Sequence, residues 1–237
     1  MPHFAFVSGS ETSGDAWSAV LNRLRSAGHT CHIHSLDEIS WTNGVEAGIL
    51  ALAARIGSVA ETILVGHSIA GLFLPSIGKA IGATNQVYIA AIIPQPARSV
   101  FEQLLMGEEI FSHSWTEGYG TMRQSAEPRI SHRQFLEGHL FHDCPPQSLE
   151  RYWMQSDLPL REIYEVPHPS PETSQHSHFI VCTGDRTLLP KSQRPSVEQL
   201  PYASIAEIET GHCPQLAAPE KLADLILSIT GNADLAE

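Results

Sequence analysis

Basic charge, aromatic residues and paired cysteines are all scarce in this chain. Fourteen lysines and arginines stand against 26 aspartates and glutamates, giving a formal net charge of −12 over 237 residues. So acidic a chain repels phosphate backbones and anionic headgroups, which sets nucleic acid and membrane surfaces aside as partners. No stretch approaches the ~18 apolar residues that a membrane-spanning helix needs. The opening Met1-Pro2-His3-Phe4-Ala5-Phe6-Val7 lacks both the basic region and the long apolar region of a signal peptide. It reads as a first strand, and a cytoplasmic location is the default expectation. Cys31, Cys144, Cys182 and Cys213 form no C-x-x-C pair, so free thiols in a reducing compartment are expected. Histidine, by contrast, is plentiful at 13. His32 and His34 alternate on one predicted strand, as do His176 and His178 on another. No carboxylate or cysteine completes a ligand set beside them, so no metal is expected.

What is present is a core-forming pattern. Hydrophobic residues make up 42% of the chain, enough for one domain with or without an insertion. Phe4–Val7, Thr30–Ser35, Thr62–Val65 and Gln86–Ile93 read as strands, apolar nearly throughout. Asp15–Ser26, Gly48–Ile56 and Ala70–Ile81 read as the helices between them. That alternation predicts an α/β fold, a doubly wound and mostly parallel sheet covered on both faces. It breaks after Pro94. Residues 97–171 carry helical stripes, such as Phe101, Leu104 and Leu105, and no convincing strand. The alternation resumes with His178–Cys182, a short helix over Ser196–Leu200, a strand over Ala203–Ile208 and a helix over Pro219–Ile229. The expected organisation is a core of residues 1–96 and 172–237 with a helical cap over 97–171, longer than an ordinary connection.

The most informative stretch is Thr62-Ile63-Leu64-Val65-Gly66-His67-Ser68-Ile69-Ala70-Gly71. A buried strand, a serine between small residues and a following helix are what a nucleophile elbow requires. Gly66 and Ala70 are small where the turn brings backbone into close contact. A serine hydroxyl needs a base, and the base needs an acid to hold its tautomer. Both are expected on loops past strand ends, in the order serine, acid, histidine. His178–Cys182 runs through Thr183-Gly184 into Asp185, and Ala203–Ile208 runs through Glu209-Thr210-Gly211 into His212. Ser68, His212 and Asp185 are therefore the candidate catalytic residues. Glu207 and Glu209 precede His212 too closely to orient it, and Asp143 and Asp157 fall in the insertion. His67 is assigned to packing or the pocket wall. Backbone N–H groups of Ile69 and Ser10 are the candidate oxyanion donors.

These residues carry a resemblance. The chain resembles the α/β-hydrolase superfamily, in particular the branch of plant methylesterases, hydroxynitrile lyases and small bacterial esterases. The similarity runs over nearly the whole chain. It is most specific at Leu140-Phe141-His142-Asp143-Cys144-Pro145, Cys182-Thr183-Gly184-Asp185-Arg186 and Gly211-His212-Cys213-Pro214. The resemblance implies Ser68 as nucleophile, His212 as base, Asp185 as acid, Ser10 and Ile69 as oxyanion donors, and no cofactor. Three features depart from that branch. Ser8-Gly9 stands where it usually has His-Gly. Leu36-Asp37-Glu38-Ile39-Ser40-Trp41 does not match its Gly-rich loop. Cys213 stands where the lyases carry a lysine for the leaving group, which weighs against a lyase.

The expected function is hydrolysis of a carboxylic ester of a small, largely apolar molecule through an acyl-enzyme on Ser68. Phe111, Trp115, Phe141, Trp153 and Met154 are the candidate pocket residues of the cap, with His67 beside them. A lyase or cyclase using Ser68 and His212 for proton transfer, and a small-molecule receptor, are the alternatives. The sequence leaves open whether the chain forms a homodimer.

Overall fold

A computed structural model describes residues 2–59, 61–124, 126–169, 176–194 and 204–231. The strands are β1 (His3–Ser8), β2 (Thr30–Ser35), β3 (Thr62–His67), β4 (Asn85–Ile89), β5 (His176–Cys182) and β6 (Ser204–Ile208). The helices are α1 (Ser18–Ser26), α2 (Val45–Ile56), α3 (Leu74–Ile81), α4 (Val100–Leu105), α5 (His113–Arg123), α6 (Pro128–His139), α7 (Ser148–Tyr152), α8 (Leu160–Glu165), α9 (Pro214–Ala217) and α10 (Pro219–Gly231). The six strands form one sheet in the order β2-β1-β3-β4-β5-β6, and every neighbouring pair is parallel.

Successive residues of β1 serve opposite faces of the sheet, as the two-residue strand period requires. Ala5 and Val7 pack with Leu52, Phe73 and Ile77 of the α2 and α3 layer. Phe4 and Phe6 pack with Val20, Leu24, Leu222 and Ile226 of the α1 and α10 layer. Both faces are covered, which is why the strands are apolar nearly throughout.

Several predicted boundaries shift for local reasons. The first helix begins at Ser18, because Gly14–Trp17 forms a 3-10 turn ahead of it. The helix after the elbow also starts late. Ser68–Leu72 is 3-10, and α3 follows with Pro75 in its first turn, where a missing N–H costs nothing. β4 stops at Ile89 instead of running to Ile93, since Ala90 takes a left-handed φ of +41° that turns the chain out of the sheet. The predicted helix over 196–200 lies outside the described residues.

Between β4 and β5 the chain leaves the sheet, and α4 to α8 occupy that crossover. The Phe101-Leu104-Leu105 stripe does form a helix, but its phase differs from expectation. Leu105 is 72% exposed, while Val100 and Gln103 face inward. The Ser99–Glu102 capping box sets that phase. The insertion is tied to the loop after β5. Ser112 N donates to Thr187 O at 2.8 Å and Leu189 N to Ile110 O at 3.0 Å.

Candidate active site

The turn from β3 into the following helix forces Ser68 to a φ of +57°. A non-glycine residue there carries roughly 1–3 kcal/mol of strain. The surroundings hold it in place. Ile92 N donates to Ser68 O at 3.0 Å. A Cβ on Gly66 would lie 2.8 Å from Leu74 Cγ, and one on Gly71 would lie 2.5 Å from Ile92 O. The close approach at Gly66 is to a side chain of α3, and the tightest backbone approach falls at Gly71 rather than at Ala70. Gly9 is equally constrained, since a Cβ there would sit 2.8 Å from Ser68 Cβ. The loop after β1 therefore packs directly against the serine, which brings Ser10 beside it.

Ser68, His212 and Asp185 come together although they are far apart in the chain. His212 Nε2 lies 2.9 Å from Ser68 Oγ, and His212 Nδ1 lies 2.7 Å from Asp185 Oδ2. A carboxylate only accepts, so Nδ1 carries the proton and Nε2 presents its lone pair to the serine hydroxyl. The side chains of His212 and Asp185 are 2% and 0% exposed. Asp185 Oδ1 accepts the N–H groups of Thr187 at 2.7 Å and Leu188 at 3.1 Å. Its Oδ2 also accepts from Gln193 Nε2 at 2.8 Å. Gln193 Oε1 in turn accepts Cys182 N at 2.8 Å. This glutamine thus clamps the acid loop to the end of β5. Nothing in its polar sequence surroundings distinguishes it.

His67 has its own role behind the serine. Its Nε2 donates to His212 O at 2.8 Å, and its ring lies between those of Trp17 and His212, with centroids at 5.6 and 5.0 Å. Burial, with His212 nearby, pushes its pKa down to about 3. His67 is therefore a neutral donor that fixes the backbone of residue 212, and it lies off the cavity.

Ser68 and His212 open into a cavity of about 380 Å³, lined also by Ser10, Ile69, Phe111 and Trp115. The two expected oxyanion residues thus share one space with the nucleophile. Phe141, Trp153 and Met154 are not among the described residues on that wall. Phe141 is consumed in a small apolar core with Leu136, Leu149 and Cys213. Trp153 turns its indole N–H to Glu11 Oε2 at 2.9 Å. Met154 meets the core through its backbone, its N–H donating to Glu11 O at 3.2 Å. The wall comes instead from Tyr119, His132, Phe135, Leu160 and Tyr164. Their spacing on α5, α6 and α8 is ordinary for helices packed on a core, so the sequence does not single them out.

Asp143 is neither catalytic acid nor free. Its Oδ2 accepts the Gly211 N–H, pinning the insertion to the loop that carries His212. Among the described residues no group of three histidines, cysteines or carboxylates could hold a metal ion, and no helix is long and apolar enough to cross a membrane.

A buried strand, a strained serine and a histidine fixed by a buried acid define the hydrolases built on an α/β sheet. The family described as "Alpha/beta hydrolase family" matches residues 5–225, and the chain belongs to it. Methylesterase 2 of Arabidopsis thaliana is 24% identical over 254 residues, covering 97% of this chain and 96% of the relative. Polyneuridine aldehyde esterase of Rauvolfia serpentina is also 24% identical over 254 residues, covering 96% and 95%. Two solved structures share the fold. Polyneuridine aldehyde esterase superposes with a TM-score of 0.75 at 20% identity, over 97% of this chain and 99% of that one. A pyrethroid hydrolase from Sphingobium faniae JZ-2 superposes with a TM-score of 0.69 at 15% identity, over 99% and 98%.

Proposed function

We propose that the chain is a serine hydrolase of the carboxylic ester hydrolase class, acting on a small and largely apolar ester. One observation carries the reading: the Ser68 Oγ–His212 Nε2 and His212 Nδ1–Asp185 contacts at 2.9 and 2.7 Å, opening into a mostly apolar cavity. Ser68 attacks the ester carbonyl while His212 takes its proton. Asp185 holds the imidazolium that forms, with four N–H donors shared over its two oxygens. The N–H groups of Ser10 and Ile69 receive the oxyanion, a contribution of ~3 kcal/mol from each donor to the transition state. His212 then protonates the leaving alcohol and activates water to release the acid. Residues 97–171 act as a cap over a core of 1–96 and 172–237. Free Cys31, Cys144, Cys182 and Cys213 support a reducing, cytoplasmic setting. The named esterases among the relatives support the ester as substrate.

Intact-mass analysis after exposure to a fluorophosphonate tests this, with turnover of p-nitrophenyl butyrate recorded on the same samples. Wild type takes one adduct and turns over the ester. Ser68→Ala takes none and loses turnover. A folded wild type with neither adduct nor turnover overturns the reading and favours a proton-transfer lyase, a cyclase or a receptor.

A further inference from the structure

The wall of the Ser68 cavity holds a carboxyl group for which ester hydrolysis has no use. Glu11 directly follows Ser10 and sits at a φ of +67°, where side chains are rarely tolerated. Its side chain is 15% exposed. Trp153 Nε1 donates to Oε2 at 2.9 Å, and His132 Nε2 stands 3.5 Å from Oε1. Burial, with Asp37 and Asp157 as neighbouring like charges, pushes the carboxyl up to about 7 against those donors. Burial also holds the His132 imidazole below its ordinary value, so it supplies no charge at neutral pH. Arg161 is the cavity's remaining charged side chain among the described residues. It is 83% exposed and bound to Glu165 at 2.8 Å. Above neutrality this space therefore contains one negative charge without a cation to answer it.

A second, independent feature points the same way. The cavity is rich in aromatic rings: Phe111, Trp115, Tyr119, Phe135 and Tyr164 all line it. Phe111 stacks on Trp115 and Trp115 on Tyr119, each pair at 6.4 Å between centroids. Ring faces carry negative potential and attract cations, most of all quaternary ammonium groups that no hydrogen bond can hold. A wider space of about 770 Å³ shares Glu11, Tyr119 and His132 with the Ser68 cavity. Glu11 thus stands where an entering molecule passes from the outer space to the serine.

We propose that the ester cleaved at Ser68 carries a positively charged ammonium group, seated between the Glu11 carboxylate and the aromatic wall that includes Trp115 and Tyr119. The inference rests on the esterase reading and names its substrate class. The rest of such an ester is apolar, in keeping with the remainder of the wall. The net charge of −12 draws a cation toward the protein before it docks.

Pairs of esters alike in shape and different only in charge test it at pH 8. Butyrylcholine is set against 3,3-dimethylbutyl butyrate, which places the charge on the alcohol side. Methyl 4-(trimethylammonio)butyrate is set against methyl 5,5-dimethylhexanoate, which places it on the acyl side. We expect kcat/KM to favour the cationic member of one pair by about tenfold or more, a single close charge contact at a partly exposed site. Glu11→Gln, which keeps an acceptor for Trp153, brings that ratio to near one. Equal turnover within both wild-type pairs overturns the proposal. So does a ratio that Glu11→Gln leaves intact, since a purely structural Glu11 would lower both members together. Where the neutral esters are not hydrolysed either, the esterase reading has failed. The charge contrast is then read by calorimetric binding of 5-(trimethylammonio)-2-pentanone against 6,6-dimethyl-2-heptanone, and equal affinity overturns it.

Discussion

Ser68 stands one residue past β3, Asp185 three past β5 and His212 four past β6, whereas the groups across the cavity come from α5, α6 and α8. The first wall is held by backbone. Parallel register brings those strand ends to one edge of the sheet, and main-chain bonds from Ile92, Thr187 and Leu188 fix the loops that follow. The second wall is held by side-chain packing, as in the Trp115–Phe135 contact at 4.5 Å. Backbone bonds define positions closely, which proton transfer needs, because a misplacement of 1 Å can cost about 100-fold in rate. Packed apolar side chains can be exchanged and repacked at modest cost. A fold that separates the two can keep its chemistry on the sheet and vary its substrate on the helices.

The sharpest way to break this contrast is Asp185→Asn. An amide can donate to His212 Nδ1, which moves the ring proton to Nε2 and removes the acceptor for Ser68. We expect kcat to fall about 10⁴-fold, with the fold kept and ester hydrolysis as the readout. A loss of only tenfold would mean that some other group orients His212.

Gly211→Val attacks the place where the walls meet. A Cβ at residue 211 would lie 2.3 Å from His142 Cε1 and 2.5 Å from Asp143 Oδ1. The insertion must move off the His212 loop to admit it. Steady-state kinetics should show kcat/KM down by about 10- to 100-fold, beside a melting temperature lowered by several degrees. Unchanged kinetics would separate the insertion from the catalytic geometry.

Trp115→Ala probes the helical wall by itself. It deletes a cavity-lining ring that packs on Phe135, Phe111 and Tyr119. We expect kcat/KM for bulky esters to drop about tenfold, while fluorophosphonate labelling of Ser68 slows by no more than about threefold, the loss being one of substrate binding. Equal loss in both measurements would show that this wall also positions the serine.

The same contrast decides what was legible in the sequence. Ser68, Asp185 and His212 follow apolar runs that declare strands, so topology alone brings them together. Their surroundings were less visible. Gln193 reaches Asp185 from eight residues downstream inside a loop, and no local period marks a residue that acts through loop geometry. His67 was placed correctly as packing, but its bond to the His212 carbonyl depends on two loops meeting. On the helical wall the sequence marks Phe111 and Trp115 no more strongly than Phe141 and Trp153. All are aromatic residues in helical or turn surroundings. Which of them faces the cavity is set by helix phase and by how the insertion folds over the sheet. Phe101 and Leu105 failed the same way, forming the predicted stripe and pointing it outward.

The smallest expected effect sharpens the comparison most, because the two walls respond to pH with opposite sign. His67 sits on the sheet side with its pKa lowered from 6.5 to about 3 by burial. The unfolded chain binds that proton first, so stability falls as pH drops from 6.5 toward 3. Glu11 is held by Trp153 of the insertion, with its pKa raised from 4.5 to about 7. The folded chain binds that proton more tightly, so its contribution is present below pH 4.5 and lost as pH rises to 7. Each group changes stability by at most about 1.4 kcal/mol per pH unit. Urea midpoints measured from pH 4 to 8 should show the acid limb flattened in His67→Gln and the rise toward neutrality steepened in Glu11→Gln. His3, His34 and His178, also buried and lowered, keep part of the acid limb in both. Curves for both variants running parallel to wild type would mean that neither wall stores its stability in these two side chains.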